Sequence, residues 1–218
     1  MWNYLERLFG KSSRYYESLM RSRDAGAAIT ANQLMTATSL LQPLLLPAYE
    51  FEMGKASNLE LPPPKNSKNQ AVPYYGTITH PTYELHLFLN KDKMFQDPSN
   101  VQLILTEKLD AASELVKIKS LPIWEEVIHH DATIHHQIVD TSPKNPWSLY
   151  RAAKEELIGS TKKNQVAGYP QWLVNDIDFR KIASQEFLFQ MELTDSEQVI
   201  YLFTNSTRAA TDFYVQKL

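Results

Sequence analysis

A chain of 218 residues with no cysteine and a formal net charge of −3 excludes several functional classes at the outset. Its length suits one large domain, or a domain with a helical extension, and folding at that size hides about 70% of the unfolded surface, enough for a core without staples. Disulfides, thiol catalysis and thiolate-held metal centres are excluded, and the acidic balance argues against nucleic-acid binding, which draws its phosphate affinity from clustered Lys and Arg.

In chain order, Met1 to Gly10 mixes Trp2, Leu5, Leu8 and Phe9 with Glu6 and Arg7, unlike the uninterrupted apolar stretch of a signal peptide. The longest apolar stretch, Leu40 to Ala48, is broken by Pro43 and Pro47, far short of the roughly 20 residues a membrane span needs. The cytoplasm is the expected compartment, with no membrane partner. Trp2, Leu5 and Phe9, then Tyr16, Leu19 and Met20, then Ala27, Ala31, Leu34 and Leu41 recur at three-to-four-residue spacing, which predicts helices ended by Pro43. Residues 1–60 are therefore expected to form a helical N-terminal region. Pro62-Pro63-Pro64 and the polar run Lys65 to Gln70 predict a linker or long exposed loop with nothing to bury.

An α+β domain is expected over 74–218, of antiparallel sheet with one packed helix. From Tyr74 the period changes to two. Tyr83, Leu85, Leu87 and Leu89 alternate with Glu84, His86, Phe88 and Asn90, and Val101, Leu103 and Leu105 alternate with Gln102, Ile104 and Thr106. These two runs are predicted to be sheet neighbours. Strands are also expected at Glu125 to His130 and Ile134 to Val139, as a hairpin turning at Asp131-Ala132-Thr133. A helix follows, with Asn145 as cap, Pro146 at its first position, an apolar stripe of Leu149, Ala153 and Leu157, and Gly159 at its end. After the turn Gly168-Tyr169-Pro170-Gln171-Trp172, strands are expected at Phe187 to Leu193, at Val199 to Phe203 and, last, at Phe213 to Gln216.

Few constellations carry chemistry. His129-His130 and His135-His136 place four of the six histidines within eight residues, and across a hairpin one of each pair could converge on a metal with help from Asp131 or Glu126. The carboxylate pairs Glu125-Glu126 and Glu155-Glu156 read as solvated faces, since neighbours in sequence do not have the distinct environments that split two pKa values. Gly-x-Ser-x-Gly is absent, and Ser160-Thr161-Lys162-Lys163 lacks the companion motifs that would make it a nucleophile site. No catalytic residue, cofactor or metal is therefore assigned. The candidate partner-binding residues are Tyr169 and Gln171 in the turn, and the acidic Asp176, Asp178, Glu192, Asp195 and Glu197. Trp172 is expected to plug the sheet core.

The run Gln165 to Trp172, followed by Phe187-Leu188-Phe189-Gln190-Met191-Glu192-Leu193 and Tyr201-Leu202-Phe203, resembles the bacterial YwqG-like family, the domain of unknown function DUF1963. That family has a Gly-Gly-x-Pro-x-Trp/Phe turn and two short strands in the same order. Here Ala167 replaces the first glycine, and Thr194 to Gln198 lack the Trp and Gly that usually precede the last strand. The resemblance, over about residues 164–205, implies curved antiparallel sheets, no established activity, and by analogy an immunity role in bacterial toxin systems. The leading expectation is a non-enzymatic immunity protein that occludes the active site of a cognate toxin with a basic surface. The alternatives are a metal-dependent enzyme or small-molecule binder using the His129–His136 cluster, and a scaffold docking through Trp2, Leu5 and Phe9.

Overall fold

A computed structural model of the chain describes residues 28–54, 61–107, 115–160, 164–173, 182, 185–193, 197–205 and 211–217. The helices expected before Gly26 lie outside these residues. The fold is α+β, with four α-helices and nine strands among the described residues. The chain begins with α1 (Ala31–Leu41), β1 (Leu46–Glu50), β2 (Tyr74–Thr79), β3 (Tyr83–Leu89), β4 (Val101–Glu107) and β5 (Val116–Ser120). Three helices follow in succession, α2 (Trp124–His130), α3 (Ala132–Thr141) and α4 (Pro146–Ile158). The last strands are β6 (Gln165–Val166), β7 (Glu186–Leu193), β8 (Gln198–Thr204) and β9 (Thr211–Lys217). They form two antiparallel sheets, one ordered β5-β1-β6-β7-β8-β9 and the other β2-β3-β4. Among the described residues no helix is long and apolar enough to cross a membrane.

The expected pairing of residues 83–89 with 101–106 is present as β3–β4, with Leu85 opposite Leu105 and Leu87 opposite Leu103. Leu85, Leu87 and Leu89 pack with Met191, Leu193, Ile200 and Leu202 of the larger sheet in one core. Strand β8 serves two cores, because successive residues point to opposite faces. Ile200 and Leu202 enter that core, while Val199, Tyr201 and Phe203 enter another built around Trp172. In β7 a register shift between Phe187 and Phe189 breaks the simple alternation expected there. Phe189 packs edge-on against Phe51, whereas Phe187 packs on Phe203.

Between residues 124 and 141 the hairpin expectation is wrong, and two helices stand there. Asp131 decides this: its side chain accepts hydrogen bonds from the Thr133 and Ile134 amides at 2.8 and 3.1 Å, capping α3 as its backbone closes α2. Trp124 and Val127, then Ile134 and Ile138, are buried at helical spacing. They join Ala37, Leu41, Leu121 and Leu149 in a third, interhelical core. At the start of α1, Thr30 and Gln33 form a reciprocal capping box, and the Gln33 amide also donates to the Thr141 carbonyl at 3.0 Å. The helix expected after Asn145 is α4, ended at Gly159, but three packed helices replace the single one foreseen.

Two other segments differ from expectation. β1, within the region expected to be helical, is a sheet strand between β5 and β6. Pro47 is accommodated because β6 pairs only with Tyr49 and Glu50, so at Pro47 that side of β1 has no ladder bond to lose. The polar run after the three prolines is an ordered turn. The Asn66 side chain is buried, donates to Asn100 Oδ1 at 3.0 Å and accepts from the Lys68 and Gln70 amides.

Candidate functional site

The turn at 167–172 is fastened by buried polar side chains. Ala167 and Gly168 have φ values of 62° and 75°, the left-handed region that favours glycine. Gly168 has a second reason to be glycine, since a Cβ there would strike Ser120 Oγ and crowd Ala48. That Ser120 oxygen accepts from the Tyr169 amide at 2.9 Å. Gln165 Nε2 donates to the carbonyls of Ala167 and Tyr169 at 2.9 and 2.8 Å. The Gln171 amide donates to Gln190 Oε1 at 2.6 Å, and Gln171 Nε2 donates to the Leu121 and Tyr169 carbonyls at 3.0 and 3.1 Å. Tyr201 Oη donates to the Gln171 carbonyl at 3.2 Å. Trp172, as expected, plugs the sheet core, stacking on Phe203 with ring centroids 5.7 Å apart.

A cleft of about 530 Å³ opens between this turn and α2, within the roughly 300–1,000 Å³ of pockets that receive small ligands. Glu126, His129 and His130 line the helix side. Gly168, Tyr169 and Pro170 line the turn side, and Ile182, Gln185, Phe187 and Phe203 complete the described wall. The Tyr169 and His130 rings meet on its rim. Gln185 Oε1 is buried without a hydrogen-bond partner, while its Nε2 donates to Asp212.

Glu126 is the electrostatic centre of the site. Its side chain is 8% exposed, and burial raises its pKa to about 7, against the opposing pull of the Ile123 N–H, the Lys154 ammonium and the Trp172 indole. The Ile123 amide donates to Glu126 Oε2 across a long 3.4 Å. Burial also lowers Lys154 to about 8, although the charges of Glu126 and Glu125 favour its ammonium. The Tyr150 and Tyr169 phenols are pushed up, by burial first and then by Glu126. His130 is pushed down by burial and by His129. The cleft therefore combines an ionisable carboxyl, an imidazole, a phenol and aromatic walls, an arrangement able to bind a ligand and to accept or give up a proton at Glu126.

The residues picked out from sequence fare unevenly. Tyr169 is half-buried on the rim of the cleft. Gln171 is 3% exposed and, contrary to expectation, is unavailable to a partner, because its amide holds the turn. Glu192, half-exposed, and Glu197, exposed with φ 47°, stand at the turn end of the β7–β8 hairpin. The cleft lies at the other end, with Phe187 and Phe203, so the structure does not gather these acids with Tyr169. Asp176, Asp178 and Asp195 lie outside the described residues. The four histidines do not converge either. His135 is buried and stacks on Trp124 at 4.3 Å, His130 meets Tyr169, and His129 and His136 are exposed. Among the described residues no three His, Asp or Glu side chains come together as metal ligands.

From the sequence, Glu126 reads as one of a solvated pair or as an aid to a histidine metal site, neither of which is its place here, and Gln185, Phe187 and Phe203 are not picked out as cleft residues. Helical spacing of Trp124 with Val127, and the Asp131 cap, were the available signals that Glu126 sits on the first turn of a helix packed inward. No family model and no curated protein sequence matches this chain.

Proposed function

We propose that this is a non-enzymatic binding protein that receives a projecting group of a protein partner in the cleft between α2 and the 167–172 turn. Its most concrete form is an immunity protein that neutralises a bacterial toxin by occluding the toxin's active site. The observation that carries the reading is the paired rim of Tyr169 and His130 over a recessed Glu126. Tyrosine is a favoured anchor at interfaces, and a turn already tied down by Gln165, Gln171 and Ser120 loses little further freedom on binding. The described lining contains no Ser, Thr or Lys nucleophile. A partner with a basic surface suits a cleft that holds the Glu126 carboxyl among its lining groups.

Co-expression with a toxin encoded beside this chain is the direct test. Protection of the cell and a stoichiometric complex on size exclusion are expected, both weakened by Tyr169→Ala. A toxin that still kills, with no complex formed, overturns the reading.

The protonation of Glu126 near neutral pH favours one second reading, a small-molecule site with acid–base chemistry at the same cleft. It requires turnover of a substrate that Glu126→Gln abolishes, where the binding reading requires only a stable complex.

A further inference from the structure

We propose that the group received by the cleft is a guanidinium, the side chain of an arginine on the partner protein, with its head on the Glu126 carboxylate and the Gln185 oxygen and its stem against Phe187 and Pro170. The proposal rests on the reading of the cleft as a partner-binding site, and it names the chemistry that site selects.

Three observations lead to it. The first is the burial of an acid in the cleft: Glu126 is 8% exposed and lines it. Lys154 on α4 acts on both Glu125 and Glu126 on α2, and burial lowers it to about 8. Among the described residues, the other titratable groups beside Glu126 are phenols and imidazoles. Tyr150 on α4 and Tyr169 on the turn are pushed up by burial and by Glu126, and His130 is pushed down by burial and by His129. A ligand bearing one positive charge lets Glu126 ionise without an uncompensated buried charge.

The second observation is a shortage of donors. Gln185 Oε1 is buried and has no partner, and the Ile123 amide reaches Glu126 Oε2 only across a long 3.4 Å, with the Trp172 indole beside it. These oxygens leave unused acceptor capacity in the described lining. A guanidinium carries five N–H donors in a planar fork and no acceptor. The third is the character of the walls. Tyr169, Phe187 and Phe203 bring three aromatic rings to the cleft, and a planar, weakly hydrated guanidinium stacks on such faces better than a compact ammonium does.

The test is a titration of the full-length protein with n-butylguanidinium, alongside n-butylammonium and 1-butanol, followed by NMR through the Trp172 indole N–H, which lies beside Glu126. Saturable binding of the guanidinium is expected, at least tenfold tighter than butanol and several-fold tighter than the ammonium. It should tighten about tenfold between about pH 6 and about pH 8, as Glu126 becomes ionised. Glu126→Gln should abolish both the preference and its pH dependence. If that variant does not fold, Gln185→Leu decides, with a several-fold loss expected for the guanidinium and none for butanol. Equal binding of guanidinium and butanol, an ammonium that binds as tightly, or variants that bind like the wild type each overturn the proposal. A toxin complex that forms although guanidinium does not bind leaves the binding reading standing and removes this one. Saturable guanidinium binding without a toxin complex does the reverse.

Discussion

The His130 imidazole meets the Tyr169 ring edge to face, with centroids 4.8 Å apart and planes 68° from parallel. This contact joins a helix end to a turn almost forty residues further along the chain, and it forms the rim of a cleft that combines aromatic walls with a buried acid.

Replacing Tyr169 separates rim from scaffold. An aromatic pair of this kind contributes about 0.5–1.5 kcal/mol beyond simple burial, so Tyr169→Ala should lower stability by roughly 1 kcal/mol. Its effect on partner affinity should be larger, about 2 kcal/mol or more, as for a central anchor. Urea unfolding and a binding isotherm on the same variant check the two values, and a stability loss with unchanged affinity would place the partner elsewhere.

Glu126 gives stability a defined pH dependence. Its pKa is raised from 4.5 to about 7 on folding, so the folded state holds its proton more tightly than the unfolded chain does. The stabilising contribution is complete below about pH 4.5 and is lost as pH rises to about 7, a change on the order of 3 kcal/mol in which the opposing pull of Lys154 is already counted. Glu126→Gln removes the titration. Unfolding free energies measured across that window should slope less in the variant than in the wild type.

His86 acts in the opposite direction. It is fully buried between two threonines, with Nδ1 3.0 Å from Thr77 Oγ1 and Nε2 2.8 Å from Thr106 Oγ1. Burial lowers its pKa, outweighing the Glu84 carboxylate 3.8 Å away. The unfolded chain therefore binds the proton more readily, and the contribution of His86 is complete above about pH 6.5 and lost as pH falls below it. His86→Gln should be less stable than the wild type at pH 7.5 by about 1–3 kcal/mol, through imperfectly paired buried groups. The gap should narrow by pH 5.5 in the same urea measurement.

Gly168→Ala tests the turn. The added Cβ meets a left-handed backbone and the Ser120 hydroxyl that holds the Tyr169 amide. A loss of about 1–3 kcal/mol is expected, seen as a melting-temperature drop of roughly 2–4 °C per kcal/mol. Partner affinity should fall with it, because Tyr169 loses its anchor.

Much of the sheet was legible because its signals are local. The alternation of Tyr83 to Leu89 and of Val101 to Leu105 identified β3 and β4, and Asn145-Pro146 with Gly159 bracketed α4. β1 and β5 were missed. Pro47 argues against a strand unless one side of it is unpaired, and in Val116 to Ser120 the lysines alternate with Val116, which is exposed, Ile118, and Ser120, which is polar though buried, so no apolar face stands out. Short helices such as α2 cannot be told from strands by a run of apolar residues alone. The Asp131-Ala132-Thr133 sequence that suggested a hairpin turn is a helix cap. In the site, Tyr169 was visible as part of a turn. Gln171 and Glu126 were misjudged because their roles depend on what lies against them: a carbonyl fifty residues earlier in one case, and the burial of a carboxyl between α4 and the turn in the other.

Strand β8 lends alternate residues to two hydrophobic layers, Leu202 to one and Phe203 to the other. Neither layer can loosen without pulling the shared backbone out of register with its partner, so the two melt as a single cooperative unit. Phe203 also lines the cleft. An occupant pressed against that ring therefore stiffens the distant sheet-to-sheet layer as well, and amide exchange in β3, which never touches the cleft, would slow when the partner binds.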